Sequence, residues 1–245
     1  MSQSILFFDI ETVCNKRELT EMSDSMQELW ALKSSKMGYK TEEGDAEDPA
    51  KSFIHKGAIF AEFGKIVCIS VGILRNEEGI NKFYVRSFAD DNEAKLLMEF
   101  SAAIDKHFGK TSLREPTRFI CGHNVREFDV PYICRRMLIN GIKLPSAFNI
   151  GGKKPWETTY ILDTLELWKF GDYKNFTSLK LLCGVFDIPT PKDDIDGSQV
   201  GVTYWQENDL PRISAYCQKD VLATARLFQK MTLQPTINDE DVIFK

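Results

Sequence analysis

The sequence of 245 residues lacks several features that would assign it to other classes of protein. No run approaches the ~20 apolar residues of a membrane-spanning helix, and the first residues do not form a secretory leader. The six cysteines form no Cys-x-x-Cys pair and lie mostly in apolar runs, which is typical of reduced core thiols and not of a zinc site. These absences predict a cytoplasmic protein without membrane association.

An excess of positive charge is also absent. The formal net charge is −5, which argues against a general polyanion-binding surface. Basic side chains cluster only locally, at Arg135-Arg136, Lys153-Lys154 and Lys169, Lys174 and Lys180, and ordinary solvated surface explains these clusters equally well. The length and the apolar content of 43% predict a single α/β domain over residues 1–245.

Carboxylates recur in three short stretches along this chain. Ile5 to Phe8 is an apolar run typical of a buried strand, and residues two apart on a strand share a face, so Asp9 and Glu11 should project together. Residues 210–231 repeat apolar side chains at helical spacing, which places Tyr216 and Asp220 on one helix face.

The middle stretch lies between a predicted strand and a predicted helix. Residues 117–121 are typical of a strand that ends at Gly122-His123-Asn124, and Asp129 then opens a helix that tolerates Pro131 in its first turn. Together the stretches supply four carboxylates and one phenol. Such a set is suited to holding two divalent metal ions and orienting a water toward a phosphodiester.

With these motifs the chain resembles the DEDD 3′→5′ exonucleases, in their tyrosine-bearing subclass (DEDDy). The likeness is to stand-alone relatives of the proofreading exonuclease domain of family-B DNA polymerases. Asp9 with Glu11, Asn124 with Asp129, and Tyr216 with Asp220 match its three motifs, and Ala215 stands where the sister subclass has histidine. Residues 53–58, 62–66 and 196–198 also resemble that subgroup, and the likeness spans residues 4–231.

The resemblance implies a ribonuclease H-like fold and a metal-dependent exonuclease. Asp9, Glu11, Asp129 and Asp220 would hold two Mg²⁺ or Mn²⁺ ions, with Asp9 between them, and Tyr216 would orient the attacking water. The pKa of an ordinary tyrosine is near 10, so a positioning role suits Tyr216 better than that of a base. Thr12, Asn124 and Phe128 would contact substrate.

Each motif has a simpler explanation when taken alone. Asp9 and Glu11 could be a solvated strand end, Asn124 and Asp129 a turn and a helix cap, and Tyr216 and Asp220 an exposed helix pair. His123 is better explained as a structural residue than as a metal ligand. Four other aromatics could stack bases, although a place in the core is favoured for each: Trp156, Trp168, Tyr173 and Phe176.

The remaining pattern predicts a mixed sheet flanked by helices. Three sequential strands, with a turn at residues 76–79, form an antiparallel meander, and strands alternate with helices after a helix capped by Asp91. Residues 14–63 form an insertion, helical over 18–36 and acidic over 41–49. It could cap the nucleic-acid groove and limit which 3′ ends enter, or be only a packing helix with a loop.

Two functional hypotheses follow. The first is a 3′→5′ exonuclease that releases nucleoside 5′-monophosphates from single-stranded DNA, with RNA as a second substrate class. The second is a catalytically idle relative that binds nucleic acid or protein. The complete carboxylate set favours the enzyme, because four clustered carboxylates repel one another unless cations relieve them. Protein partners, pathway and oligomeric state are not encoded recognisably.

Overall fold

The computed structural model describes residues 4–37, 48–172, 174, 176–189 and 195–245. Its sheet has six strands: β1 (Ser4–Cys14), β2 (Gly64–Glu77), β3 (Ile80–Ala89), β4 (Arg118–Gly122), β5 (Ile161–Asp163) and β6 (Val242–Phe244). Their order is β5-β4-β1-β2-β3-β6. β1, β2 and β3 are antiparallel neighbours, whereas β4 and β5 run parallel to β1 on its other side. This confirms the predicted mixed sheet, in which an antiparallel meander is joined by parallel strands.

Helices cover both faces of the sheet. They are α1 (Asp24–Lys36), α2 (Pro49–Lys56), α3 (Glu93–Phe108), α4 (Asp129–Ile139), α5 (Thr164–Lys169), α6 (Leu179–Val185), α7 (Val200–Trp205) and α8 (Leu210–Met231). Because side chains alternate along β1, Phe8 packs with Phe100 of α3, and Phe7 packs on the other face with Phe228 of α8. Among the helices of the described residues, none is long and apolar enough to cross a membrane.

The meander contains the predicted turn. Glu78 and Gly79 have φ values of 51° and 89°, the left-handed conformations that a tight hairpin requires. The Asn76 side chain accepts a hydrogen bond from the Gly79 amide at 3.2 Å and donates one to Asn81 at 2.9 Å. The Asn76 side chain therefore links the turn to the following strand and stabilises it.

Some details of the predicted elements were wrong. Asn92 caps α3 through its side chain, which accepts from the Lys95 amide, and Asp91 instead accepts from the Tyr204 hydroxyl. α2, α5, α7 and β6 were not predicted. Each has eight residues or fewer, which is too short for the apolar periodicity to be distinctive.

The insertion between β1 and β2 builds its own small core. Trp30 of α1 is fully buried against Phe53 and Phe63, and its indole donates to the Pro49 carbonyl at 2.8 Å. This core fixes α1 and α2 beside the end of β1. Of the segment predicted to be acidic and mobile, residues 41–47 lie outside the described residues.

Candidate active site

The first pair of predicted site residues lies on β1. Asp9 and Glu11 bring their carboxylates together as predicted, and one ligand atom from each lies within 4.8 Å of the other and of the Cys217 sulfur. Glu11 is only 7% exposed. The pairing with β2 shifts register between Glu11 and Thr12, and such a bulge re-aims the side chains that follow it.

The second pair lies on α8, which crosses β1, β2 and β3. Tyr216 and Asp220 lie one turn apart on the same face of this helix, which brings the phenol close to the carboxylate. Between them, the Cys217 thiol donates toward the Asp9 backbone carbonyl at 3.5 Å and toward its carboxylate oxygen at 3.6 Å. α8 therefore contacts the β1 carboxylates directly.

Asp129 reaches the same place from the loop between β4 and α4. It is 3% exposed and is the first residue of α4, which begins directly after this loop. The loop turns sharply after Gly122, where a Cβ atom would collide with Val125 and the Phe8 carbonyl. Glycine is thus required for the loop to return to β1.

A buried carboxylate that the sequence did not single out for a role organises this loop. Asp163, at the end of β5, accepts from the amides of Asn124 at 2.9 Å, Arg126 at 3.0 Å and Leu165 at 2.9 Å. Asn124 is held there in a left-handed conformation, with φ 64°. A strand-end acidic residue before a helix was the available signal, and the structure shows that it positions the loop carrying Asn124 and Asp129.

His123 has the structural role that was predicted. Its Nδ1 pairs with the Thr164 hydroxyl and its Nε2 with the Thr177 carbonyl, each at 2.9 Å. Burial lowers the pKa of His123, so the neutral ring is favoured. Both nitrogens are engaged, which leaves no lone pair directed at a metal.

The four carboxylates are close enough to act on one another electrostatically. Burial raises the pKa of Asp9 well above its usual value, and the charges of Asp129 and Asp220 raise it further. Burial also raises the pKa of Glu11 well above its usual value, and the charge of Asp9 raises it further. Burial raises the pKa of Asp129 to about 7. Asp129 and Asp220 thus lie near enough for their charges to act on Asp9, whereas among the described residues only Asp9, Glu11 and Cys217 bring ligand atoms within 4.8 Å of one another.

These residues fit a divalent cation by the chemistry of their donors. Carboxylate oxygens are the ligands that Mg²⁺ and Mn²⁺ prefer, and a cation would relieve the burial and repulsion that raise these pKa values. Cys217 is an unexpected neighbour, since thiols suit softer metals. Its contact with Asp9 depends on how α8 crosses β1, so no local sequence pattern pointed to it.

A pocket of about 730 Å³ opens beside these carboxylates. Its lining joins Glu11 and Thr12 of β1 to Phe128 and to residues of the insertion and of α7. Two of the three stretches that resembled the exonuclease subgroup meet there, since Ile54, His55, Ala58, Gly197 and Ser198 all line the pocket. Thr12 lines the pocket beside Glu11, and the Phe128 ring lies 5.3 Å from that of Tyr132.

Other candidate substrate contacts are not all where the sequence placed them. Arg136 is buried in an ion pair with Glu93, so it cannot hold phosphate. Trp156 and Phe176 are 73% and 67% exposed, which contradicts the expected core position. Trp168 packs against Phe186 as a core residue does, and Tyr173 lies outside the described residues.

Comparison with known proteins assigns the chain to a family. Among curated protein sequences none matches it. Among solved structures, it is similar to E. coli Exonuclease I in complex with a dT13 oligonucleotide, at 13% identity and a TM-score of 0.35. That match covers 94% of this chain, which spans only 46% of the other. A family model matches residues 59–242, which include Asn124, Phe128, Asp129, Tyr216 and Asp220 but not Asp9 or Glu11. The chain belongs to the family described as predicted 3′-5′ exonucleases related to the exonuclease domain of PolB.

Proposed function

We propose that this protein removes nucleotides from the 3′ ends of single-stranded DNA by metal-assisted hydrolysis and releases nucleoside 5′-monophosphates. Asp9, Glu11, Asp129 and Asp220 hold two divalent cations, Mg²⁺ or Mn²⁺. The observation that carries the proposal is the convergence of these carboxylates with Tyr216 from three separate elements. Membership of an exonuclease family supports it independently.

Bound cations would supply an activated water and stabilise charge on the phosphodiester oxygens. The protein's own residues supply position. Burial raises the pKa of Tyr216 far above its usual value, and the neighbouring charges of Asp220 and Glu11 add to this. The phenol therefore stays protonated at neutral pH, so it orients a water by hydrogen bonding and does not remove its proton.

The pocket of about 730 Å³ is where we place the terminal nucleotide. A pocket of this size accommodates an organic molecule as large as a nucleotide. Thr12 and Phe128 line it next to Glu11, so a sugar and base there would lie beside the carboxylates. Asn124, held on the neighbouring loop by Asp163, completes the proposed substrate contacts.

The exonuclease proposal is tested with oligonucleotides labelled at either end. With Mg²⁺ or Mn²⁺, a 5′ label should appear on progressively shorter products, and a 3′ label should be released as a mononucleotide. A chelator should abolish both results. The Asp9→Ala variant excludes a contaminating nuclease, so shortening that persists in this variant would overturn the assignment. Binding without shortening would support the catalytically idle alternative.

The choice between DNA and RNA is tested with strands of one sequence. We propose that a DNA strand is shortened faster than an RNA strand. Equal rates would assign the protein to both substrate classes.

We further propose that residues 14–63 are an insertion in a single domain and restrict which 3′ ends enter. Two residues of the insertion, Ile54 and Ile59, line the pocket and are about half exposed. Val202 of α7 lines the same pocket. Because apolar side chains offer no charge to the phosphates of a second strand, these walls favour an unpaired end over a duplex end. Ile54→Asp should change the preference among single-stranded, blunt and recessed ends, whereas Leu32→Asp, equally exposed on α1 but outside the pocket, should not. Unchanged preference in Ile54→Asp would remove this role.

A further inference from the structure

A second pocket, of about 420 Å³, lies away from the carboxylates. Its floor includes Leu6 and Val71, which belong to the core cluster packed under α3. Phe7 and the carboxylates of Asp9 and Glu11 point to the other face of the sheet, toward α8. We call this pocket the basic groove, because five cationic side chains line it: Arg75, Arg86, Lys106, Arg118 and Lys245.

The lining of the basic groove is strongly positive, although the hydroxyl of one lining residue, Tyr84, donates to the neighbouring Glu77 carboxylate at 2.6 Å. Its lining contains no aspartate or glutamate, although the chain as a whole carries a net charge of −5. Within the described part of the chain, none of the five cations forms an ion pair with a carboxylate. A groove lined by one sign of charge focuses the field and attracts ligands of the opposite sign.

Several of these cations are held in place by neutral groups. The Arg118 guanidinium donates to the carbonyls of Lys106 and His107 at the end of α3. The Arg75 guanidinium and the Lys245 ammonium lie 5.6 Å and 4.8 Å from the Tyr84 ring centre, and Arg86 lies 4.3 Å from that of Phe88. These contacts position the charges without neutralising them, which lowers the entropic cost of binding an anion.

The floor of the basic groove distinguishes between classes of anion. It is formed by the apolar side chains of Leu6, Val71, Ile73 and Ala103. His107 also lines it, but its Nε2 is already paired with the Phe119 carbonyl at 2.9 Å. A nucleobase needs polar partners for its edges, whereas an aliphatic side chain needs only this surface. The position opposite the carboxylates also keeps the groove off the direct path of a strand bound there.

We propose that the basic groove docks an acidic peptide segment of a partner protein, with carboxylates on the five cations and one apolar side chain on the floor. Arginine clusters are a recurring means of recognising acidic motifs. This surface is independent of the nuclease chemistry, so its role does not depend on the proposed function.

The test uses a fluorescein-labelled peptide with aspartates and glutamates around one central leucine. Full-length protein should raise its fluorescence anisotropy, and added salt should weaken the binding. Arg75→Glu and Arg86→Glu should each weaken it by about tenfold or more. Lys143→Glu, an exposed charge reversal outside the groove, should leave the affinity unchanged. Replacing the leucine of the peptide by serine should also weaken binding, because the floor then loses its apolar partner.

The fold of Arg86→Glu is intact if its melting temperature and its shortening of oligonucleotides match those of the wild type. Arg86→Gln provides a second variant, which removes the charge without reversing it. Failure of the wild-type protein to bind the peptide, or equal binding by Arg86→Glu, would overturn the proposal. A third outcome would also overturn the proposal. If an oligo-dT strand displaces the peptide from the Asp9→Ala protein, and its own affinity falls in Asp9→Ala/Arg86→Glu, the groove binds nucleic acid instead.

Discussion

At the scale of single residues, the ionised carboxylate of Asp9 lowers the stability of the fold, although the proposed metal site needs it. Burial and the charges of Asp129 and Asp220 raise its pKa, so the folded state binds this proton more tightly than the unfolded chain. Ionised Asp9 therefore destabilises the fold, and the penalty grows as the pH rises from the unfolded pKa of about 4 through the folded value.

Asp9→Asn removes that penalty together with the negative charge. In metal-free buffer at neutral pH we expect the variant to be more stable by roughly 1 kcal/mol, or about 2–4 °C in Tm. The gain should shrink toward about pH 4, where the wild-type carboxyl is protonated in both states. Calorimetry across pH measures the difference. A variant that is less stable at neutral pH would show that Asp9 is not repelled by its neighbours.

Tyr216 provides a second test at this scale. Its phenol stays protonated because burial and the charge of Asp220 raise its pKa. Tyr216→Phe should therefore lower kcat by about 10- to 100-fold without changing the shape of the pH–rate profile between about pH 7 and pH 9. Loss of a pH-dependent limb in that range would mean that Tyr216 transfers a proton. Tyr204→Phe is a control, because that hydroxyl pairs with Asp91.

Residue types and spacing predicted side chains for the site but not all their neighbours. Asp9, Glu11, Asp129 and Asp220 were predicted because metal-assisted hydrolysis demands carboxylates. Cys217 was missed because cysteines in apolar runs usually serve only packing, and its contact with Asp9 depends on how α8 crosses β1. Such a contact between distant segments has no local sequence signal.

At the scale of elements, one buried ion pair ties two helices to the sheet. Arg136 of α4 donates to both carboxylate oxygens of Glu93 on α3, at 2.8 and 2.6 Å, and to the Ala61 carbonyl at 2.8 Å. Glu93 also accepts from the Ile66 amide of β2 at 2.8 Å. The pair thus connects α3, α4 and the start of β2.

Arg136→Ala should lower the free energy of unfolding by about 3–5 kcal/mol, because it leaves the Glu93 carboxylate buried and unpaired. Arg135→Ala is a matched control on the next residue, which is exposed, and should change stability by less than about 0.5 kcal/mol. Urea unfolding of both variants measures the contrast. Similar losses in the two variants would contradict the assigned role of the ion pair.

The elements predicted most accurately are those with long, regular patterns. β2, β3, α3 and α8 each span ten residues or more, so their apolar periodicity was unambiguous. The charge pattern was less informative. Arg135 and Arg136 are adjacent and chemically identical, yet one is exposed and the other buried, because α4 turns only one of them toward Glu93.

At the scale of the whole molecule, metal binding should be visible as stability. If the carboxylates hold divalent cations only when the fold brings them together, Mg²⁺ or Mn²⁺ at about 100 times its Kd should stabilise the fold by about 2.7 kcal/mol. Thermal scans of the wild-type protein should show the increase, and Asp9→Asn should show much less of it. Glu99→Gln, which removes an exposed carboxylate on α3, should respond as the wild type does. Equal responses in all three proteins would indicate non-specific ion effects.

The carboxylates come from β1, from the start of α4 and from the middle of α8, so the first and last are separated by most of the chain. α8 packs on β1, β2 and β3, so the packing that completes this face of the sheet also carries Asp220 toward Asp9. The carboxylates therefore come together only in the completed fold, and an unfolded chain, or one cut between Asp9 and Asp220, lacks them as a set.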